Sequence, residues 1–187
     1  MISAHAGLAP SPWVRRWAAL LPPRASVLDV ACGTGRHLRW LASLGHRVVG
    51  IDRDAGALEP LRSLGETIVA DIEAGSWPIA DRRFDAVVVT NYLWRARLPD
   101  IVASVASGGL LIYETFALGT ESVGKPSNPD FLLRPGELLH AVQTDTARDW
   151  RVLGFEDGFI DAPPRFVQRI AAVREPAASS VPARYPL

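Results

Sequence analysis

The sequence predicts a doubly wound α/β sheet of about seven mostly parallel strands with helices on both faces, built as a single domain. Apolar runs of strand length alternate with segments of helical period from Val27 onward. The run Val27-Leu28-Asp29-Val30 passes straight into the turn Ala31-Cys32-Gly33-Thr34-Gly35, and a helical segment follows from Arg36. Residues 84–90, Phe-Asp-Ala-Val-Val-Val-Thr, are nearly all apolar, as a parallel strand covered on both faces should be.

Residues 1–10 read as a flexible tail. Ser11-Pro12 is a helix start, with Ser11 as N-cap and Pro12 in the first turn. Trp13, Trp17, Leu20 and Leu21 then recur at helical spacing until Pro22-Pro23 stops the helix. Such a helix suits a lid over a ligand or a cover for the sheet edge. The first βαβ unit is strand 27–30, helix 36–42 and strand 47–51. A second crossover helix spans 55–64 and a third strand 67–70. A connection at 73–83 leads to strand 84–90. A helix over 99–106 stops at Gly108-Gly109, and a fifth strand covers 110–113. The polar loop after it, rich in Gly and Pro through residue 130, suits a mobile cover. A loop enters a helix over 134–141, and strands at 150–157 and 166–174 complete the sheet. The domain is expected over residues 11–175, with a disordered tail at 176–187.

Ligands of such sheets bind at the carboxyl ends of the strands, where strand order reverses. Gly33, Asp52, Asp71, Asn91 and Glu114 all fall at predicted strand ends. Separated polar residues therefore converge on one rim. The glycine turn before a helix exposes backbone N–H groups, and an acid ending the second strand is placed for a ribose diol. A glycine turn alone also serves to pack a helix on a sheet, so the acid is what points to an adenine nucleoside. The dinucleotide fingerprint is incomplete: its first glycine is Ala31 and its third is missing. Asp29 sits poorly beside a pyrophosphate and suits an ammonium group. S-adenosylmethionine combines that ammonium with a ribose and a sulfonium.

These segments resemble class I S-adenosylmethionine-dependent methyltransferases. Val27–Gly35 looks like the first motif of that family, where alanine often replaces the first glycine, as at Ala31. Asp52 matches the ribose acid, Asp71-Ile72 the adenine position, residues 84–92 the fourth strand with its active-site end, and Gly108–Glu114 the turn and fifth strand. Among its members the chain looks like small bacterial proteins related to tellurite-resistance methyltransferases. The resemblance implies a Rossmann-like fold, S-adenosylmethionine as cofactor with S-adenosylhomocysteine as product, and methyl transfer to a small-molecule acceptor by in-line displacement. It places Asp29, Ala31, Gly33, Gly35, Asp52, Asp71, Ile72 and Asn91 against the cofactor. Asn91, Tyr92, Trp94 and Arg95 would line the methyl group, with Asn91, Tyr92, Arg95 and Glu114 as positioning groups or base. Other readings are a cofactor-binding regulator without catalysis and a nicotinamide-dependent oxidoreductase.

Composition sets the remaining expectations. Twenty basic and twenty acidic residues balance to a formal charge of zero, which argues against a nucleic-acid enzyme and its basic stripe. No apolar run approaches a membrane span of ~18 residues, and the start lacks the charged and apolar regions of a signal peptide. The single cysteine excludes an intrachain disulfide and fits a cytoplasmic protein. Cys32 stands where a helix N-terminus could make a thiol nucleophilic, but methyl transfer needs no such group and Cys32 reads as a small packing residue. His37 reaches the cofactor carboxylate or faces solvent. His5, His37, His46 and His140 show no metal-ligand spacing. The protein is expected to act as a monomer or homodimer.

Overall fold

The computed structural model describes residues 9–145, 149–176 and 184–186. Most of tail 1–10 and the 177–183 part of the C-terminal tail therefore lie outside the described residues. Within them the chain forms one sheet of seven strands in the order β3-β2-β1-β4-β5-β7-β6. The strands are β1 (Ser26–Val30), β2 (Arg47–Asp52), β3 (Glu66–Val69), β4 (Phe84–Thr90), β5 (Val105–Phe116), β6 (Trp150–Asp161) and β7 (Pro164–Arg174). All neighbours up to β5 pair in parallel, and β7 runs antiparallel to both β5 and β6. Strand order reverses between β1 and β4, and the turn 31–35 sits above that reversal.

From Ala86 to Val89 the side chains of β4 alternate between two buried layers, because successive residues of a strand point to opposite faces, and the register irregularity between Phe84 and Ala86 puts Phe84 in the layer of Val87 and Val89. Phe84, Val87 and Val89 join one layer with Trp77, Ile79, Ile101, Leu138 and Val142. Ala86 and Val88 join the other with Trp13, Trp17, Leu38, Leu41, Leu58 and Leu61. Helices α1 (Pro12–Ala18), α2 (Arg36–Ser43) and α3 (Ala55–Leu58) thus cover one face, and α4 (Leu98–Ala103) and α5 (Glu137–Gln143) the other. Tyr185 also packs against the α1 layer.

Helix α1 starts as expected: Ser11 Oγ accepts a hydrogen bond from the Trp13 N–H at 3.1 Å, with Pro12 in the first turn. Several boundaries differ: α1 ends at Ala18, ahead of Pro22-Pro23, and α4 runs over Leu98–Ala103 rather than 99–106. The second crossover helix stops at Leu58 and gives way to a 3₁₀ turn, Glu59–Leu61, because Pro60 cannot donate to an α-helical ladder. Strand β5 starts at Val105 and absorbs Gly108-Gly109 as an irregularity in its register with β4. Strands β6 and β7 form a longer hairpin, and β6 runs through Gly158.

Candidate functional site

Asp52 closes β2 and ties two loops together. Its Oδ2 accepts from the Gly33 N–H at 2.7 Å and its Oδ1 from the Asp54 N–H at 2.9 Å. Helix α3 is capped by Asp54, whose Oδ1 accepts from the Ala57 N–H at 3.1 Å, so Asp52 is not its cap. Each Asp52 oxygen keeps a lone pair for an added hydroxyl. The glycines of the turn do different work. Gly33 has φ +53°, and a side chain there would meet nothing within 4 Å, so its outer surface is open for a ligand. Gly35 has φ +75°, and a Cβ would lie 2.5 Å from Leu61 Cδ1, so it lets α2 and the Leu61 turn pack closely. Ala31 (φ +52°) and Asn91 (φ +54°) are left-handed non-glycine residues at the same rim, a conformation costing about 1–2 kcal/mol for alanine and less for asparagine. Backbone strain of this kind gathers at ligand sites.

A cavity of about 120 Å³ opens beside this turn, lined by Ala31, Asp52, Arg53, Ala70, Asp71, Ile72, Glu73 and Tyr92. It unites the ends of β1, β2, β3 and β4. Asp71 shapes a turn there: its Oδ1 accepts from the N–H groups of Glu73 (3.0 Å) and Ala74 (3.3 Å). Arg97 braces that turn from behind, donating to the Ile72 carbonyl at 2.6 Å and to the Gly75 carbonyl. Arg53, Ala70, Glu73 and Arg97 are not among the sequence-predicted residues. The first three flank the predicted acids, but nothing in the spacing foretells the reach of Arg97.

Asp29 lies buried in β1. Burial is the main cause that lifts its carboxyl to about 7, and Asp52 adds to this, while a hydrogen bond from the Leu38 backbone and the charge of Arg36 oppose it. Its Oδ2 has no partner among the described residues. Asp29 and Gly35 thus support the turn from inside, and neither lines the cavity. The Cys32 thiol is pushed up by burial and then by Asp29 and Asp52, which removes it as a nucleophile.

The other end of the rim is a closed polar network. Glu114 Oε1 accepts from Ser11 Oγ at 2.8 Å and Oε2 from Arg169 Nη1 at 3.0 Å. Arg169 also pairs with Glu156 at 2.7 Å and stacks over Trp13, 5.1 Å from the ring centre. The Ser11 N–H donates to His37 Nε2 at 3.1 Å, which leaves Nδ1 to carry the proton beside Thr90 Oγ1, 3.4 Å away. Burial and then Arg36 lower the His37 imidazole to about 3. His37 therefore neither faces solvent nor offers a lone pair; it docks the start of α1.

Of the residues expected at the methyl group, the structure turns Tyr92 into the cavity with Asp71 and Ile72 and leaves Asn91 exposed at the strand end. Arg95 goes elsewhere. Its guanidinium donates to both Glu137 oxygens (2.6 and 2.9 Å) and to the Asp130 and Leu132 carbonyls (2.7 and 2.8 Å). It anchors the segment before α5, so a role at the reacting atoms is replaced by a structural one. The expected mobile cover is likewise tied at its roots: Thr120 Oγ1 donates to the Phe166 carbonyl at 2.9 Å and Leu118 N–H to the Leu133 carbonyl at 2.9 Å. A larger cavity of about 540 Å³ lies between α4 and α5, but its charged residues are engaged: Arg95 pairs with Glu137, and Asp145 accepts from Trp150 Nε1 at 3.1 Å. The smaller cavity alone gathers acids from strand ends at the strand-order reversal.

Residues 27–108, which hold the turn, Asp52, Asp71 and β4, match the methyltransferase domain family. That match covers under half of the chain and carries the first four strands of the sheet. The chain's fold is similar to that of TehB from Haemophilus influenzae, with TM-score 0.72 and 23% identity, covering 91% of this chain and 64% of that one. It is similar also to a TehB-like methyltransferase from Corynebacterium glutamicum, with TM-score 0.65 and 18% identity over 91% of each chain. A curated relative, malonyl-[acyl-carrier protein] O-methyltransferase from Pseudescherichia vulneris, is 35% identical over 105 residues. That match spans 51% of this chain and 41% of the relative's length. The matched domain and the neighbour described as SAM-dependent make S-adenosylmethionine the ligand to weigh against this site. The open face of Gly33, the spare lone pairs of Asp52 and the polar lining beside Asp71 fit it. Among the described residues no helix is long and apolar enough to cross a membrane.

Proposed function

We propose that the protein transfers the methyl group of S-adenosylmethionine to a small-molecule acceptor. The observation that carries this reading is the convergence of Asp52, Asp71-Ile72 and the Gly33 turn on one cavity at the strand-order reversal. When bound, the cofactor supplies a methyl carbon activated by its sulfonium, open to in-line displacement. Asp52 accepts from the ribose hydroxyls, and its grip on Gly33 N–H holds the turn in place before the ligand arrives. Asp71 and the Ile72 N–H face the adenine edge, on a turn that Arg97 keeps rigid. Asp29 supports the turn at the methionine end. Asn91, raised by its left-handed backbone, marks the end of β4 where an acceptor would approach.

The groups at this rim favour acceptors that bring their own negative charge. The His37 lone pair is taken by Ser11 N–H, and both Glu114 oxygens already hold donors. Rate would then come from positioning rather than from a dedicated base. Incubation with S-adenosylmethionine and a panel of small carboxylic acids, thiols, phenols and oxyanions tests this, read as S-adenosylhomocysteine released. Turnover with an anionic acceptor is the expected result. The engagement of both His37 and Glu114 also supports a second reading, a regulator that binds the cofactor without catalysis. Tight cofactor binding with no turnover on any acceptor, acyl-carrier-bound malonyl included, would favour it.

A further inference from the structure

Helices α4 and α5 lie side by side on one face of the sheet without closing the space between them. Leu138 and Val142 of α5 pack into the core of the sheet. Glu137, His140, Ala141 and Thr144, spaced i, i+3, i+4 and i+7, form a second stripe that faces α4. Leu98, Val102 and Ala103 form the opposite wall. The space left between them is about 540 Å³, a size typical of small-molecule sites. It is long as well as wide, since α5 rises about 10 Å from Glu137 to Thr144. No residue lines both this cavity and the one at the strand ends.

The polar groups of the cavity are unevenly spent. Arg95 lines one end, and its side chain is 32% exposed. A guanidinium carries five N–H groups. Those of Arg95 reach both Glu137 oxygens and the Asp130 and Leu132 carbonyls, which leaves one Nη1–H without a partner among the described residues. One turn along α5, the exposed His140 ring also makes no hydrogen bond to the described residues. The Thr144 hydroxyl is already donating, to the His140 and Ala141 carbonyls. Glu137 is neutralised by Arg95, and Asp145 accepts from Trp150. The Arg95–His140 end therefore offers hydrogen-bond donors, and the walls beyond it are apolar.

We propose that the space between α4 and α5 is a second small-molecule site, for an apolar carboxylate about 10 Å long. Its carboxylate accepts from Arg95 and His140. Its apolar body lies along Leu98, Val102, Ala103 and Ala141.

The test is titration of the full chain with octanoate, whose length matches the cavity, and with octylamine, followed by ligand-detected NMR. One octanoate should bind per chain with a Kd of about 0.1–1 mM, as a ligand of this size allows. Octylamine has the same chain but brings no acceptor to Arg95, and should bind at least about 10-fold more weakly. Ala141→Phe and Ala103→Leu fill the space from opposite walls, and each should weaken octanoate binding about 10-fold or more. Both alanines border open space, so neither variant should lower the thermal midpoint, and either one alone suffices if the other does not fold. Asp52→Ala, in the other cavity, should leave octanoate binding unchanged. Absence of saturable octanoate binding to folded wild-type protein would overturn the proposal. So would octylamine binding as tightly as octanoate, or full octanoate binding by a folded filled variant. Loss of octanoate binding in Asp52→Ala would also overturn it, by moving the ligand to the strand ends.

Discussion

On the cavity side of the rim, Tyr92 Oη and Asp29 Oδ2 are buried without partners among the described residues, and Gly33 presents an open face. On the Ser11 side, His37, Ser11, Glu114, Arg169 and Glu156 bond to one another in an unbroken chain from α1 to β6. Both sides are polar and both lie at strand ends. An unsatisfied buried group costs stability, whereas a saturated network only holds elements together. The first side is organised for a ligand and the second for the fold. Polarity at a strand end is therefore a poor guide to function until its lone pairs and protons are accounted for.

The largest expected effect breaks the comparison at Asp29. Its folded value near 7 exceeds the ordinary 3.8, chiefly through burial, so the folded state keeps a proton that the unfolded state gives up. The stability this group contributes is fully present below pH 3.8 and is lost as pH rises through about 7. Asp29→Asn should remove that loss, so the variant gains on wild type across the window by up to about 4 kcal/mol. Parallel stability curves from urea melts at successive pH values would show that Asp29 carries no such penalty.

Next comes Glu114→Ala, on the saturated side. It strips an acceptor from Ser11 and from Arg169, which retains Glu156, and should cost about 2–3 kcal/mol in chemical denaturation. Cofactor affinity should change less than about twofold, given that no interaction with the ligand is lost. A large loss of affinity with little loss of stability would move Glu114 to the ligand side. Asp52→Ala should do the reverse, weakening cofactor binding about 10–100-fold by removing one or two charge-assisted hydrogen bonds. Unchanged affinity in a binding titration would dismiss Asp52 as a ribose ligand. The smallest effect is Ala31→Gly, which relieves a left-handed alanine and should raise the thermal midpoint by an amount equivalent to about 0.5–1 kcal/mol. A fall in the midpoint would mean that the Ala31 methyl packs more than its backbone strains.

Where the signal is local, the sequence reads true. Ser11-Pro12 starts a helix, the apolar run of β4 marks a central strand, and Asp52, Asp71-Ile72 and Ala31 meet at one cavity because each closes a strand. Pro60 was an available signal for the early end of α3. The Ser11 network was not legible. It joins Ser11 to Glu114 across 103 positions, and its cation, Arg169, sits on an antiparallel strand whose register no local pattern sets. The assignment of Arg95 failed for the same reason, since Glu137 and the 130–132 carbonyls reach it only through the tertiary fold. The direction of Tyr92 depends on the positive φ of Asn91, a conformation that asparagine tolerates but does not announce.

The central claim is that the cavity at the β1–β4 reversal holds S-adenosylmethionine. Its most direct test is calorimetric titration of the purified protein with S-adenosylmethionine and then S-adenosylhomocysteine. Micromolar binding of both at one site, weakened by Asp52→Ala and left intact by Glu114→Ala, is the predicted result. No binding of either ligand by folded wild-type protein would contradict it.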